Sequence, residues 1–404
     1  MIKEINRRHV LSGMAALGTL GTLGIAGVKP AAAQNKLDPI KLTVKDVQML
    51  ELTGKDKQIS LYLKLITDSG IEGLYGPIDT DAAVFVDRYF AKQLLNIDGL
   101  EIEAYWDRMF RGNRHSRGSH YLMGLSAVDN ALWDLKARAL GLPVYKLLGG
   151  SRKELRAYAS CLGYSQEPSA LQSKALELKQ EGYAHQKWFI SKRGPKFGSK
   201  GVMQDIEVLR LLRQAVGDEV DLMFDASTKW DLQYTVAWAK RAEQYRPLWI
   251  EEPLQSANLD ALTELSRETS IPVAMGEHFY GRWDAHNFLK EGTIRVVQAD
   301  PEWCGGVSEL IKICALASVY GANVIPHGHS MYAAMHVVAS QPVEVCPLVE
   351  YLIRKMQGNY YYFEKDIPRP KNGIFTLSDR PGFGIELDES KIVSMRQVHW
   401  DRNS

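Results

Sequence analysis

Apolar runs recur along the chain at a nearly fixed interval, each followed by a polar or glycine-bearing loop and then by an amphipathic stretch of helical period. The runs fall at 155–161, 184–190, 220–224, 248–250, 272–275, 294–298, 322–325 and 343–349. Short uninterrupted apolar runs are the pattern of strands buried on both faces, and eight of them alternating with helices are the count of a (β/α)8-type barrel. Ahead of them, extended-type runs at 40–50 and 59–65 are closed by the turn residues Asp68-Ser69-Gly70. From 81 to 148 the period becomes helical: the segment 126–140 sets Val128, Leu132, Leu135 and Ala139 on one face and stops at Gly141. The pattern predicts an α/β chain with a small α+β unit over 38–150, a barrel over 151–350, and a segment, 351–404, packing back on the small unit. Residues 191–204 (SKRGPKFGSKGVMQ) are expected as a long loop after the second barrel strand.

Polar residues stand at the ends of these runs in phase with the repeat. Asp225 ends LMFD, Glu251 ends LWIE, Glu277 follows AMG, Asp300 follows VVQA, His327 follows VIP and Glu350 ends PLVE, at intervals of 26, 26, 23, 27 and 23 residues. One barrel repeat has about this length, so the six groups should project from successive strand ends at the carboxyl face, where barrel active sites lie. Three carboxylates from adjacent strands cannot all stay ionised at close range without a cation. Oxygen ligands with neither Cys nor a His triplet select a hard ion such as Mg²⁺. His327 in IPHGHS, with Asp300 one repeat earlier, has the makings of a general base, because a carboxylate on one imidazole nitrogen raises the basicity of the other. His329 competes for that role. Lys187, on the second strand in HQKW, offers positive charge to a substrate carboxylate or enolate.

Composition narrows the class without naming a partner. With 404 residues, 45% apolar and 24% charged, the chain is neither collagen-like, disordered nor a disulfide knot. Its net charge of +1 hides an asymmetry: residues 1–33 hold Lys3, Arg7, Arg8 and Lys29 against Glu4, which leaves 45 of the 49 basic and 47 of the 48 acidic residues to the remainder. That balance gives no footprint for nucleic acid. Arg7-Arg8, the apolar glycine-rich run 11–28 and the sequence Lys29-Pro30-Ala31-Ala32-Ala33-Gln34 read as a twin-arginine export signal over 1–33, with a periplasmic product that has no stable membrane insertion after processing. A retained membrane anchor is the alternative reading of the same run. Cys161, Cys304, Cys314 and Cys346 form no CxxC pair and sit in or beside apolar runs, which predicts buried free thiols.

The ordered motifs SAVDNALWDLKARALGLPVYKLLGG, LMFDASTKWDLQY, WIEEPL, GEH, VVQADPEWCGGVSELIKI, IPHGHS and PLVEYL resemble those of the enolase superfamily, mandelate racemase subgroup, over residues from about 40 to 390. Within it, LMFD with a following DLxY, GEHxxxRW, QxDxxWCGGVxEL and PHGxS look most like the L-rhamnonate dehydratase-type acid-sugar dehydratases. The resemblance implies a modified (β/α)7β TIM-type barrel under an α+β capping domain, and a symmetric homo-oligomer. It implies Mg²⁺ ligation by Asp225, Glu251 and Glu277, with Glu251 chosen over Glu252 as the first acid of IEEP. Asp300 and His327 match the catalytic dyad, Lys187 a second-strand lysine, and Glu350 the acid that hydrogen-bonds a substrate carboxylate oxygen. The subgroup's KxK is incomplete here, with His185 or Phe189 in the alternating position. His278, Arg282 and His329 are placed at the pocket. The cap segments 52–58, 74–81 and 111–120 are expected to overhang the barrel mouth, bringing Arg114, His115 and His120 to substrate hydroxyls or carboxylates.

The activity so implied is dehydration of a small-molecule sugar acid. Racemisation needs bases on both faces of the enolate, whereas elimination can use one. A racemase, epimerase or cycloisomerase using the same enolate, and an exported sugar-acid binding protein without catalysis, are the competing readings.

Overall fold

The computed structural model describes residues 42–400; the export signal expected over 1–33 lies outside them. The first part holds β1 (Val44–Gly54), β2 (Ile59–Thr67) and β3 (Glu72–Ile78), followed by helices α1 (Thr80–Phe85), α2 (Ala91–Leu94), α3 (Ile102–Gly112), α4 (Ser119–Ala139) and α5 (Val144–Leu147). Period-two alternation in β2 buries Leu61, Leu63 and Leu65 on one face. Tyr62, on the other face, is buried as well, and its hydroxyl donates to Glu364 Oε1 at 2.9 Å.

The repeat predicted from 155 onward is present as β4 (Glu154–Ser160), β5 (His185–Phe189), β6 (Asp221–Asp225), β7 (Trp249–Glu251), β8 (Val273–Met275), β9 (Val296–Val297), β10 (Asn323–Val324) and β11 (Val349–Leu352). Between them run α6 (Pro168–Gln180), α7 (Gly198–Val216), α8 (Leu232–Ala242), α9 (Leu259–Glu268), α10 (Arg282–Lys290), α11 (Gly306–Val319) and α12 (Tyr332–Ser340). The strands lie in the order β10-β9-β8-β7-β6-β5-β4-β11, and Glu350 of the last sits opposite Tyr158 of the first. Seven βα units and a closing strand make a (β/α)7β barrel beneath an α+β cap. Tyr158, Met223, Trp249, Ala274, Val296, Ile325 and Leu348 form a separate apolar cluster drawn from the strands and the residues flanking β10 and β11. After α13 (Ile353–Gln357), β12 (Ile374–Thr376) pairs antiparallel with β4 and β13 (Ile392–Gln397) with β1, so the antiparallel sheet reads β13-β1-β2-β3.

Two boundaries differ from the sequence reading. The eighth run, 343–349, enters the sheet only at Val349, because Pro342 and Pro347 bring no N–H to a ladder. The loop expected over 191–204 is already helical from Gly198. Gly201 lets the start of α7 lie on α8, since a Cβ there would fall 2.8 Å from the Tyr234 hydroxyl. All four cysteines are buried free thiols. Among the described residues no helix is long and apolar enough to cross a membrane.

Helix α4 joins cap to barrel with polar side chains. Ser126 Oγ accepts from Gly305 N at 2.8 Å, Asn130 Oδ1 from Val307 N at 3.0 Å and Asp129 Oδ2 from Ser308 N at 2.9 Å. These are N-terminal donors of α11 that no carbonyl within the helix can satisfy. Gly305 and Gly306 of the WCGG motif have φ of +117° and +85°, and a Cβ on Gly306 would come within 2.4 Å of Asp129 Oδ2, so glycine is required there. The loop carrying Asp300 is thereby fixed from the cap side.

A second buried polar knot ties cap, barrel and C-terminal segment, with Tyr62 and Tyr332 both donating to Glu364. Burial lifts the Glu364 carboxyl to about 8 and that of Asp129 to about 7. A carboxyl whose pKa is raised on folding binds more protons folded than unfolded, so its contribution is complete below the unfolded value and is lost as pH climbs through the folded one. The melting temperature is therefore expected to fall between about pH 4 and pH 8, and Glu364→Gln to flatten part of that slope. Thermal melts across the range check it; a Glu364→Gln slope equal to wild type would contradict it.

Candidate active site

Register sets the site. Asp225 lies opposite Glu251 across β6 and β7, and Phe189 lies opposite Asp225 across β5 and β6. Glu277, Asp300 and His327 follow just past the ends of β8, β9 and β10, and Glu350 is carried by β11. At this end of the barrel a cavity of about 480 Å³ is lined by Lys187, Phe189, Asp225, Glu252, Glu277, His278, His327 and Glu350. Of the seven residues matched by motif, all but Asp300 and Glu251 reach its wall.

Asp300 stands behind His327. It is fully buried, and its Oδ2 lies 2.8 Å from His327 Nδ1 while Oδ1 accepts from Glu302 N at 2.7 Å. When the ring is neutral, with Nδ1–H given to Asp300, Nε2 carries the lone pair on the cavity side, 3.4 Å from Glu277 Oε2. Burial would lower this imidazole, but Glu277, the Asp300 bond and Glu350 lift it to about 9. His329, the competitor, has Nε2 on Asp79 at 3.0 Å and Nδ1 on the Lys355 ammonium at 2.8 Å, and it does not line the cavity. Neither of its nitrogens is free to take a proton.

Lys187 is buried among acids: it pairs with Glu251, with Glu350 at 2.8 Å and with Asp225 at 3.7 Å. Burial alone would lower its pKa, yet Glu251 and Glu350 hold it well above the usual lysine range. Burial would raise Glu350, but Lys187 and His327 draw it down to about 2, so it is an acceptor here and takes the Gly328 N–H at 2.9 Å. Glu251 is occupied on both oxygens, by Lys187 at Oε1 and by Gln298 Nε2 at 2.6 Å and Trp249 Nε1 at 3.1 Å on Oε2. The next residue, Glu252, takes a φ of +40° and is the member of the pair that lines the cavity.

The acids fit a hard divalent cation. Glu252, Glu277 and His278 place ligand atoms within 4.8 Å of one another. Burial together with Glu277, Asp225 and Glu251 pushes the Glu252 carboxyl up to about 9. Negative charge thus exceeds what Lys187 and His327 neutralise, the condition a divalent cation held by these carboxylates would relieve.

Other expectations fare differently. His278 lines the cavity and stacks on Trp303, with ring centroids 5.2 Å apart. Arg282 does not line it: its guanidinium makes bonds of 2.8 and 2.7 Å to Glu309, a fully buried carboxylate that needs a counter-charge, and packs on Trp283. Arg114, His115 and His120 are exposed on the cap and absent from the cavity wall; His120 faces Asp81 at 3.5 Å instead. The second-lysine position is filled by Phe189, since His185 lies at the other end of β5, 3.1 Å from Asp221. Sequence reasoning passed over Trp303, whose ring also lies 5.1 Å from His327; its signal was a tryptophan directly after the acids of DPEWCGG.

Comparisons with known proteins bear on the family and the fold. Residues 30–149 match the family described as mandelate racemase / muconate lactonizing enzyme, N-terminal domain, and residues 170–391 match the one described as enolase C-terminal domain-like. The chain is 33% identical to arabinonate dehydratase of Saccharolobus solfataricus, over 78% of this chain and 83% of that protein. It is also 33% identical to L-rhamnonate dehydratase of Saccharopolyspora erythraea, over 76% of this chain and 77% of that one. Among solved structures, a racemase from Streptomyces coelicolor A3(2) with bound magnesium superposes with a TM-score of 0.75 at 25% identity, covering 86% of this chain and 98% of the other.

Proposed function

The chain belongs to the mandelate racemase / muconate lactonizing enzyme family of the enolase superfamily, and from that premise we propose that it is a lyase that dehydrates a sugar acid of the aldonate class to a 2-keto-3-deoxy acid. The observation that carries elimination over racemisation is the single base: the His327–Asp300 dyad faces the cavity on one side, while Phe189 fills the position where the subgroup's second lysine would stand.

Asp225 and Glu277, with one of the Glu251–Glu252 pair, would hold a divalent cation of the Mg²⁺ type, Glu251 being favoured by its place in IEEP and Glu252 by its exposure to the cavity. When bound, such an ion supplies Lewis acidity at the substrate carboxylate. The remaining steps fall to the chain's own groups. The Lys187 ammonium offsets carboxylate charge as it builds, with Glu350 and Glu251 fixing its position. His327 Nε2 takes the α-proton, and Asp300 stabilises the imidazolium that results. The enediolate then expels the 3-hydroxyl, which leaves as water with the proton His327 has just received, and the enol becomes the keto acid.

Incubation of the full chain with a library of aldonates and Mg²⁺ is expected to give 2-keto-3-deoxy acids, and EDTA to remove the activity until Mg²⁺ is restored. Isomers labelled at the α-carbon in D₂O without net consumption of substrate would instead indicate an epimerase, and ligand binding without turnover a binding protein. Glu251→Gln and Glu252→Gln separate the two ligand assignments through Mg²⁺ affinity measured by calorimetry. We also propose the periplasm as the site of action, on the strength of Arg7-Arg8 and the run that follows; a fusion of residues 1–40 to a reporter that stays cytoplasmic would count against it.

A further inference from the structure

One charged group of the cap lies behind the cavity wall, bonded to Trp303 and His329 beside the dyad, without taking part in the chemistry above. Asp79 follows β3 directly, and its side chain is 36% exposed. Its Oδ1 accepts from His329 Nε2 at 3.0 Å, while its Oδ2 has only a long contact of 3.4 Å with Trp303 Nε1. His329 is held in turn by Lys355, whose ammonium lies 2.8 Å from both His329 Nδ1 and His329 O and sits 4.2 Å over the Tyr360 ring. The Trp303 ring lies 5.1 Å from His327, 5.2 Å from His278 and 4.8 Å from His329. A single indole therefore separates Asp79 from the base.

This arrangement gives the substrate a direction. The reacting carboxylate belongs with Lys187, and the α-carbon must meet His327 Nε2; the rest of the carbon chain can then run past the stacked His278 and Trp303 rings toward Asp79. A carboxylate at the end of that path accepts hydrogen bonds from hydroxyls and repels another carboxylate. Although burial raises the Asp79 carboxyl, His329 and Lys355 bring it below the usual value, so it is ionised.

Resting on the sugar-acid reading, we propose that Asp79, positioned by His329 and Lys355, is the cap's contact with the far end of the substrate and selects monocarboxylic aldonates over dicarboxylic aldarates. Asp79 is the group that touches substrate; His329 and Lys355 act through it.

The test uses the full chain with Mg²⁺, with L-rhamnonate and D-galactonate as aldonates and galactarate and D-glucarate as aldarates, read as kcat/KM or, for a class that is not turned over, as Ki. Asp79→Asn removes the repulsion of a second carboxylate and weakens the acceptor for hydroxyls, while Lys355 still faces Asp300, Glu302 and Glu350, so the preference for aldonates is expected to fall about tenfold, mostly through aldonate KM. Lys355→Met takes a positive charge from beside Asp79, which keeps its His329 bond, and is expected to move the preference the other way. A purely structural role would depress both classes together in both variants, with lower melting temperatures. An unchanged ratio in Asp79→Asn, or shifts in the same direction in the two variants, overturns the proposal. A wild type that turns over neither class removes the sugar-acid reading itself and the proposal with it, an outcome distinct from an active wild type whose preference does not respond to Asp79.

Discussion

Replacing His327 with asparagine is expected to abolish water elimination and, with it, the exchange of the substrate α-proton for deuterium, while the fold survives. Both losses follow from one atom. Nε2 is the proposed proton acceptor at the cavity, and the dyad geometry, with Nδ1 2.8 Å from Asp300, leaves it no other tautomer when neutral. An asparagine amide can still donate to Asp300 but has no basic nitrogen. General-base removal costs roughly 10²–10⁴-fold in rate, and more where the same group also protonates the leaving hydroxyl. The backbone bond from His327 N to Gln298 O, at 3.1 Å, does not depend on the side chain, so the melting temperature should change little. Turnover, α-proton exchange followed by NMR in D₂O, and a thermal melt of the same preparation measure the three expectations. Exchange at the wild-type rate would assign the base elsewhere.

Lys187→Met should cost stability as well as activity. The lysine is the ammonium shared by Glu251, Glu350 and Asp225, and all four groups are buried. Removing one partner of a buried ion pair while leaving the other charged costs about 3–5 kcal/mol, and here three carboxylates lose their shared counter-charge. A divalent cation binding the same acids offsets part of that loss by mass action, so Mg²⁺ should raise the melting temperature of the variant more than that of wild type. Parallel melts in EDTA and in excess Mg²⁺ decide the matter; a variant as stable as wild type in EDTA would mean that the acids simply take up protons.

How much of this was readable in advance depends on whether a residue's role is set by its own strand or by a distant partner. Asp225, Glu277, Asp300 and His327 were legible because each sits at or just past the end of a short buried strand, and the length of the repeat alone brings such ends together, whereas Glu350 lies inside the closing strand. The closing strand was placed too early because an apolar run counts the prolines at 342 and 347 as neutral, whereas a ladder lacks their N–H donors. Arg282 looked like a pocket residue until Glu309, a full helix away, proved to be buried and in need of it. Which acid of Glu251-Glu252 meets the cavity turns on a φ of +40°, which no periodicity encodes. Asp79 carried no motif at all. Its position depends on the fold bringing the end of β3 to the loops after β9 and β10, contacts that separate it from Trp303 and His329 by more than half of the chain.

Ser126, Asp129 and Asn130 bond the backbone of Gly305, Val307 and Ser308, directly beyond the turn that bears Asp300 and Trp303. The capping domain is therefore no interchangeable lid. A chimera that joined this barrel to a relative's cap would inherit a new set of substrate contacts, but it would also need a serine, an aspartate and an asparagine at matching turns of the long helix to keep its catalytic loop folded. Recombination within the family should then be tolerated at a crossover placed before α4, so that this helix travels with the barrel, and penalised at the apparent linker between the two domains.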